Sequence, residues 1–315
     1  MPLRLGLLST ARINDAVLAA ARAGDAVNVV AVASRDADRA ASYALQNGIA
    51  TAHSSYRDLL EDAALDAVYL SPPNSLHVEW ALRAIAAGKH VLCEKPLAWT
   101  GADAAAVVAA ARRAGVVLAE GFMYRHHPQT RALCELAGSG ALGRVERIRS
   151  WFAFTAEMPQ DAIVLDPLLH GGALLDIGCY CVSVSRLLAG EPLSVSAEMD
   201  AGPTGVDLRV RGTMRFSGGV EAEFEAALDR PGDAGVEVVA TAGTAKLADP
   251  WHCLSPGIEI SDGRRIAVAP ADPYRLQLDD FAAAVREGRP ALVSGEEIVG
   301  QARTIEALIE SARSG

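Results

Sequence analysis

Over its first 120 residues the chain alternates short, β-branched apolar runs with stretches that read as helices. The runs at residues 3–8 (LRLGLL), 27–33 (VNVVAVA), 67–70 (AVYL), 91–93 (VLC) and 116–119 (VVLA) are apolar apart from Arg4 and Asn28, as strands buried on both faces should be. Helical patterns at 13–23, 36–46, 56–61, 75–87 and 100–114 lie between or beyond them. Asp36 is placed to cap the second of these, and Gly48, Gly88 and Gly115 stand as stop signals. Strands buried on both sides need helices on both sides, so the alternation predicts a right-handed, doubly wound parallel sheet.

Beyond Glu120 the rhythm changes. Residues 128–137, 176–188, 274–286 and 296–312 read as helices, the last behind a capping box, Ser294-Gly295-Glu296-Glu297. Residues 145–154, 194–200, 207–216, 220–227 and 236–240 read as successive strands separated by turns such as Ser217-Gly218-Gly219. Strands in succession predict an open, mostly antiparallel sheet in an α+β domain. A length of 315 residues fits two domains on a prior of about 150 residues each, which places them at 1–120 and 121–315. One face of the second sheet, apolar and uncovered, is expected to be buried in a homodimer or homotetramer.

Composition narrows the function classes. A formal charge of −10 argues against a nucleic-acid partner. No apolar run reaches the ~18 residues that span a bilayer, so no membrane role is expected. Five scattered cysteines make neither a disulfide framework nor a metal site. Met1–Gly6 runs directly into a strand without the layout of a signal peptide, and a cytoplasmic location is expected.

Three places carry chemistry. The first is Cys93-Glu94-Lys95-Pro96, where a buried run stops abruptly on a lysine locked against a proline. Open parallel sheets bind ligands at the carboxyl ends of their strands, and a partly buried lysine serves as proton donor or fixed charge. A solvated strand end with a turn proline is the alternative. The second is the end of the first strand, Gly6-Leu7-Leu8-Ser9-Thr10-Ala11-Arg12-Ile13, a partial match to the dinucleotide fingerprint G-x-G-x-x-G/A. Gly6 and Ala11 fit, and Leu8 stands where the second glycine belongs. At the end of the second strand, Ser34-Arg35 with Arg39 a turn later suits the 2′-phosphate of NADP, while Asp36 keeps NAD open as the alternative. The third is Gly171-Gly172-Ala173-Leu174-Leu175-Asp176-Ile177-Gly178-Cys179-Tyr180. Asp176 and Tyr180 are four apart, so a helix puts acid and phenol on one face, an arrangement that suits a sugar-like substrate. The alternative is that Asp176 caps the helix and Tyr180 packs in the core.

Together these segments resemble the glucose-fructose oxidoreductase/inositol dehydrogenase (Gfo/Idh/MocA) family over essentially the whole chain. The carrying stretches are GLLSTARI at 6–13, ASRD at 33–36, SPPNSLH at 71–77, CEKP at 93–96, EGFMYRHHP at 120–128 and GGALLDIGCY at 171–180. They are most similar to the branch holding dihydrodiol dehydrogenase, NADP-dependent xylose dehydrogenase, glucose-fructose oxidoreductase and nucleotide-ketosugar reductases. The resemblance implies an NAD(P)-dependent oxidoreductase, with NADP ahead of NAD, that moves a hydride to or from a cyclic sugar, polyol or ketosugar. Lys95, in a cis Lys95–Pro96 turn, and Tyr180 would then share the proton transfer, the lysine charge favouring a phenolate, and Asp176 would hold a substrate hydroxyl. The cofactor would meet Gly6, Ser9, Thr10, Ala11, Arg12 and Ile13 at the first turn, and Ser34, Arg35 and Arg39 at the second strand. Ser71, Pro72, Asn74 and His77 would lie along it, and Glu94 and Lys95 beside the nicotinamide. The substrate would meet Lys95, Tyr124, Arg125, His127, Asp176 and Tyr180. Valine at 164, where relatives often carry arginine, His170, where glycine is common, and His126, where phenylalanine is frequent, depart from the family pattern and leave the substrate open. A regulator that binds the cofactor without catalysis, or an enzyme for a dihydrodiol or other non-sugar carbonyl, shares the same machinery.

Overall fold

The computed structural model describes residues 1–155 and 163–314, in two compact units. The first comprises Met1–Ala98, Ala102–Met123 and Tyr274–Val299; the second comprises Trp99–Gly101, Tyr124–Pro273 and Gly300–Gly315. A single cut near residue 120 therefore does not describe the packing, because a late segment returns to the first unit.

The first unit is built on strands β1 (Leu3–Leu8), β2 (Val27–Ala33), β3 (Thr51–His53), β4 (Ala67–Leu70), β5 (His90–Cys93) and β6 (Leu118–Glu120). They form one sheet in the order β3-β2-β1-β4-β5-β6, parallel at every pairing. Helices α1 (Asn14–Ala23), α2 (Ala37–Asn47), α3 (Tyr56–Glu61), α4 (His77–Ala86) and α5 (Gly101–Ala114) follow the strands in turn, as the apolar runs require. Asp36 caps α2, its Oδ1 accepting from Arg39 N at 3.0 Å, and Gly48 ends it in the left-handed conformation. The core holds Leu5, Leu7, Val32, Tyr69 and Leu92 from the sheet. Leu278, Phe281, Ala282 and Ala284 of α8 (Pro273–Glu287) pack into the same core. That burial is what ties residues 274–299 to a sheet finished 150 residues earlier.

The second unit carries β7 (Val145–Thr155), β8 (Ser194–Ala201), β9 (Asp207–Arg215), β10 (Glu221–Ala227), β11 (Asp229–Ala240), β12 (Gly243–Leu247), β13 (Gly257–Ile260) and β14 (Arg265–Ala267). Their order is β14-β13-β12-β11-β7-β10-β9-β8, antiparallel except where β7 and β10 pair in parallel. Helices α6 (Pro128–Gly138), α7 (Cys179–Ala189) and the end of α9 (Glu296–Ser314) belong to this unit.

The open face of this sheet is not the apolar surface expected. Arg149 lies between Glu223 and Glu237 on its two neighbouring strands, at 3.4 and 3.7 Å, and Arg211 lies 3.7 Å from Glu225 and 4.0 Å from Asp200. Such cross-strand pairs contribute about 0.2–1 kcal/mol each. A broad trough of about 1250 Å³ runs over it, with Trp151 and Phe224 among its lining. One stretch, Pro167–Ala189, is apolar and long enough to cross a membrane by composition, yet 78% of its most apolar window is buried in the protein. It is a core segment of the second unit.

Candidate active site

The first strand's turn lies three residues later than the partial fingerprint suggested. β1 runs unbroken through Leu8, and the backbone turns at Ser9, with φ 137°, a conformation natural to glycine. The fingerprint positions are therefore Ser9, Ala11 and Asn14. Gly6 sits inside the strand, where a Cβ would come within 2.7 Å of Leu65 and 3.1 Å of Leu59, so it serves packing and not the phosphate turn. Buried side chains fix the turn. Asn14 Nδ2 donates to Ser9 O at 2.8 Å, Ser71 Oγ donates to Asn14 Oδ1 at 2.7 Å, and Ser9 Oγ accepts from Ala11 N at 3.2 Å. Ser9 Oγ also lies 2.8 Å from Ser71 Oγ, which joins the ends of β1 and β4. These two strands flank the point where the strand order reverses, the crevice in which doubly wound folds bind dinucleotides. Thr10 and Ile13 are half-buried beside the turn and Arg12 is exposed.

At the end of β2 the alternatives separate. Asp36 is held as a helix cap, whereas Arg35 and Arg39 are both exposed. Both guanidiniums act on the Tyr56 hydroxyl, opposing the burial that raises its pKa. Ser34 is buried, its Oγ accepting from Asp36 N at 3.2 Å.

β5 delivers Lys95 to the carboxyl edge of the sheet, half-buried, with the cis Lys95–Pro96 bond that the resemblance implied. Glu94 beneath it accepts from the Tyr69 hydroxyl and, through Oε2, from Lys95 N at 3.3 Å. Gly121 lacks a side chain for a steric reason: a Cβ there would lie 3.1 Å from both Cys93 O and Glu94 Oε1. The Cys93 thiol is driven well up by burial and by Glu120 and Glu94, so it is inert. Asn74 opens a short 3-10 turn after Pro72 and Pro73 and is half-buried. His77 stands between the turns that follow β4 and β5. Only 1% exposed, its Nδ1 lies 2.8 Å from Pro96 O and its Nε2 2.9 Å from Pro72 O, so the ring straps two loops together.

In the second unit, Asp176 lies within a π-helical turn, Leu174–Gly178, that leads into α7. Such turns are rare and concentrate at functional sites. Asp176 is half-buried and does not cap this helix. The cap comes from another strand: Asp207 accepts from Leu174 N at 2.7 Å, and its carboxyl is pushed up to about 6 by burial, which outweighs the backbone N–H groups it meets. Gly172 leaves room for that carboxylate, and Gly171 for the carbonyls of Ile163 and Val164, where any Cβ would collide. Asp207, Trp99, His170 and Arg313 line a cavity of about 310 Å³ at this end of the helix. His170 takes the left-handed conformation, φ 56°, and meets Trp99 edge-on at 5.7 Å.

Tyr180 packs in an aromatic box. Its ring centroid lies 5.9 Å from Tyr124, 5.8 Å from Phe152 and 5.7 Å from Trp251. The chain has only 6 Phe, 6 Tyr and 4 Trp, so this gathering is a concentration of scarce residues. Tyr124 is a wall of the box: fully buried, it donates to Ser183 Oγ at 2.8 Å, and burial raises its pKa far above the ordinary range. Arg125 is buried against the same Ser183 hydroxyl at 3.5 Å. His127 is a core residue whose Nδ1 accepts from Gln129 N at 3.2 Å, capping α6, and burial lowers its pKa.

The profile described as "Oxidoreductase family, NAD-binding Rossmann fold" (GFO_IDH_MocA) matches residues 4–122, and that of the GFO/IDH/MocA C-terminal domain matches residues 130–246. The chain belongs to the GFO/IDH/MocA family. It is 41% identical to D-xylose 1-dehydrogenase (NADP(+)) 2 of Haloferax volcanii, over 98% of this chain and 97% of that one. It is 34% identical to 1,5-anhydro-D-fructose reductase of Ensifer adhaerens, over 99% and 97%. The structure of KijD10, a 3-ketoreductase from Actinomadura kijaniata in complex with NADP and TDP-benzene, matches with a TM-score of 0.93 at 29% identity, covering 99% of this chain and 98% of KijD10.

Several residues of this GFO/IDH/MocA chain escaped the sequence reading: Asn14, Tyr69, Glu120, Phe152, Asp207 and Trp251. All act through non-local contacts. Only Asn14 left a local signal, a polar residue opening a helix where the fingerprint wants a small one.

Proposed function

We propose that this GFO/IDH/MocA oxidoreductase uses NADP to oxidise or reduce a sugar, with Lys95 and Tyr180 in the proton transfer. The observation that carries the reading is the placement of Lys95. It leaves β5 at the carboxyl edge of a parallel sheet, where this architecture binds ligands, on a turn held by its neighbours.

The residues present fit a phosphorylated dinucleotide. The Ser9–Ala11 turn brings the backbone to the N-terminus of α1, which suits a pyrophosphate. Exposed Arg35 and Arg39 offer charge-assisted bonds to a 2′-phosphate, while Asp36 spends one carboxylate oxygen on the cap of α2. The bound nicotinamide supplies or accepts the hydride. Tyr180 exchanges the proton of the reacting hydroxyl, Asp176 accepts a hydrogen bond from a substrate hydroxyl, and Lys95 takes part in the proton transfer as acid or fixed charge. Tyr124 and Trp251 hold the Tyr180 ring in place.

The Haloferax relative makes D-xylose the first substrate to try, followed by other aldoses and anhydro- and ketosugars. Initial rates with NADP+ and NAD+ should show turnover of at least one of them with NADP+ preferred. Tight NADP binding with no turnover across the panel would instead favour a cofactor-binding protein without catalysis. Five cysteines, all free thiols, support a reducing compartment, and we place the protein in the cytoplasm. The uncovered trough on the second sheet supports self-association through that face.

A further inference from the structure

Lys95 is the last flexible side chain before a turn whose backbone is tied on the far side by two buried groups. His77 reaches Pro96 O at 2.8 Å and, from its other nitrogen, Pro72 O at 2.9 Å. Glu120 Oε1 accepts from Leu97 N at 2.8 Å. His77 is 1% and Glu120 2% exposed, so each bond is made where water cannot replace it. The two groups come from different elements, the first residue of α4 and the last of β6, and they grip consecutive residues, Pro96 and Leu97. Glu94 completes the near side, accepting from Lys95 N at 3.3 Å. A buried carboxylate at the end of a strand is costly to desolvate. It is explained if the turn must hold its lysine to a fraction of an ångström.

We propose that His77 and Glu120 are positioning residues that form a two-sided clamp on the Lys95 turn and set the direction of the Lys95 amine. The clamp rests on the reading of Lys95 as an active residue. Glu120 and His77 touch neither substrate nor cofactor in this account; they act through the backbone of residues 96 and 97.

The test compares Glu120→Leu, Glu120→Gln, His77→Phe and Lys95→Ala in the full chain, with folding checked by thermal melting. Two readouts are taken: kcat and KM with NADP+ and the best sugar of the panel, and the pH profile of acetic anhydride labelling at Lys95, read by peptide mass spectrometry. A side chain misplaced by about 1 Å costs on the order of 10²-fold in rate. Glu120→Leu and His77→Phe should therefore lose about 10–100-fold in kcat with KM for NADP+ within a few-fold. Their Lys95 labelling profile should move towards that of an ordinary exposed lysine. Glu120→Gln, which still accepts from Leu97 N, should keep most of kcat and the wild-type profile. Should Glu120→Leu fail to fold, Glu120→Asp, which keeps the charge and loses the reach, takes its place with the same expectation. Wild-type kcat and labelling in Glu120→Leu and His77→Phe, with Lys95→Ala inactive, would overturn the clamp alone. Near-normal turnover in Lys95→Ala would overturn the reading on which it rests.

Discussion

Tyr180 tests whether the aromatic box serves chemistry or only packing. Removing its hydroxyl leaves the ring against Tyr124, Phe152 and Trp251 undisturbed. If the phenol carries the proton, the wild-type oxidation rate should rise with pH as the phenol ionises, and Tyr180→Phe should lose that rise and lower kcat on the order of 10²–10⁴-fold with NADP+ affinity unchanged. A silent variant with an unaltered pH profile would make Tyr180 a packing residue. Arg35 tests the cofactor. A charge-assisted bond to a phosphate is worth about 1.5–3 kcal/mol, so Arg35→Ala should weaken NADPH about 10–150-fold in a titration and NADH hardly at all. Equal losses for both cofactors would show that the guanidinium meets the adenine or solvent. Lys95, Arg35 and Tyr180 could be picked out in the sequence because each ends or begins an element whose pattern was clear. His77 and His127 could not be placed, since whether a histidine lines a ligand or fills a core depends on which carbonyls and amides the fold brings to it. Ser9 was read in the wrong register because a serine in a backbone conformation natural to glycine leaves no mark in the sequence.

The helix that carries Asp176 and Tyr180 begins on a π turn capped by Asp207 from β9. That carboxyl titrates at about 6 in the folded protein against an ordinary value of about 3.9. A raised pKa means that the folded state holds the proton more tightly than the unfolded chain. The stabilisation is therefore complete below about pH 4 and is lost as pH rises through about 6, by about 2–3 kcal/mol. Asp207→Asn should remove this dependence, so the melting-temperature difference between variant and wild type should change across pH 4–7; a constant difference would contradict the assignment. Local elements were largely legible: Asp36 as cap, Gly48 as stop and the helices after each parallel strand all follow from short-range chemistry. The short strands β12, β13 and β14 were not, since three to five residues carry too little periodicity to read. Nor was the π turn, which packs against β9 and β10.

Across the whole chain, the return of α8 to the first core and the charged face of the second sheet were the two features that local pattern missed. A core partner 150 residues away has no local signature, and a face of alternating arginine and glutamate looks the same whether it meets water or a second copy. Cross-strand ion pairs flanking a trough still suit an interface between identical sheets, where each arginine can find a partner's carboxylate. Light scattering at micromolar concentration should report a dimer or larger, and Arg149→Glu with Arg211→Glu should shift it towards monomer; a wild-type monomer would contradict this. The hydride itself can be followed. With NADP+ in ordinary water and the preferred aldose deuterated at its reacting carbon, the NADPH formed should carry one deuterium by mass spectrometry. NADPH formed without deuterium, or deuterium lost to water while no NADPH appears, would contradict hydride transfer between the sugar carbon and the nicotinamide.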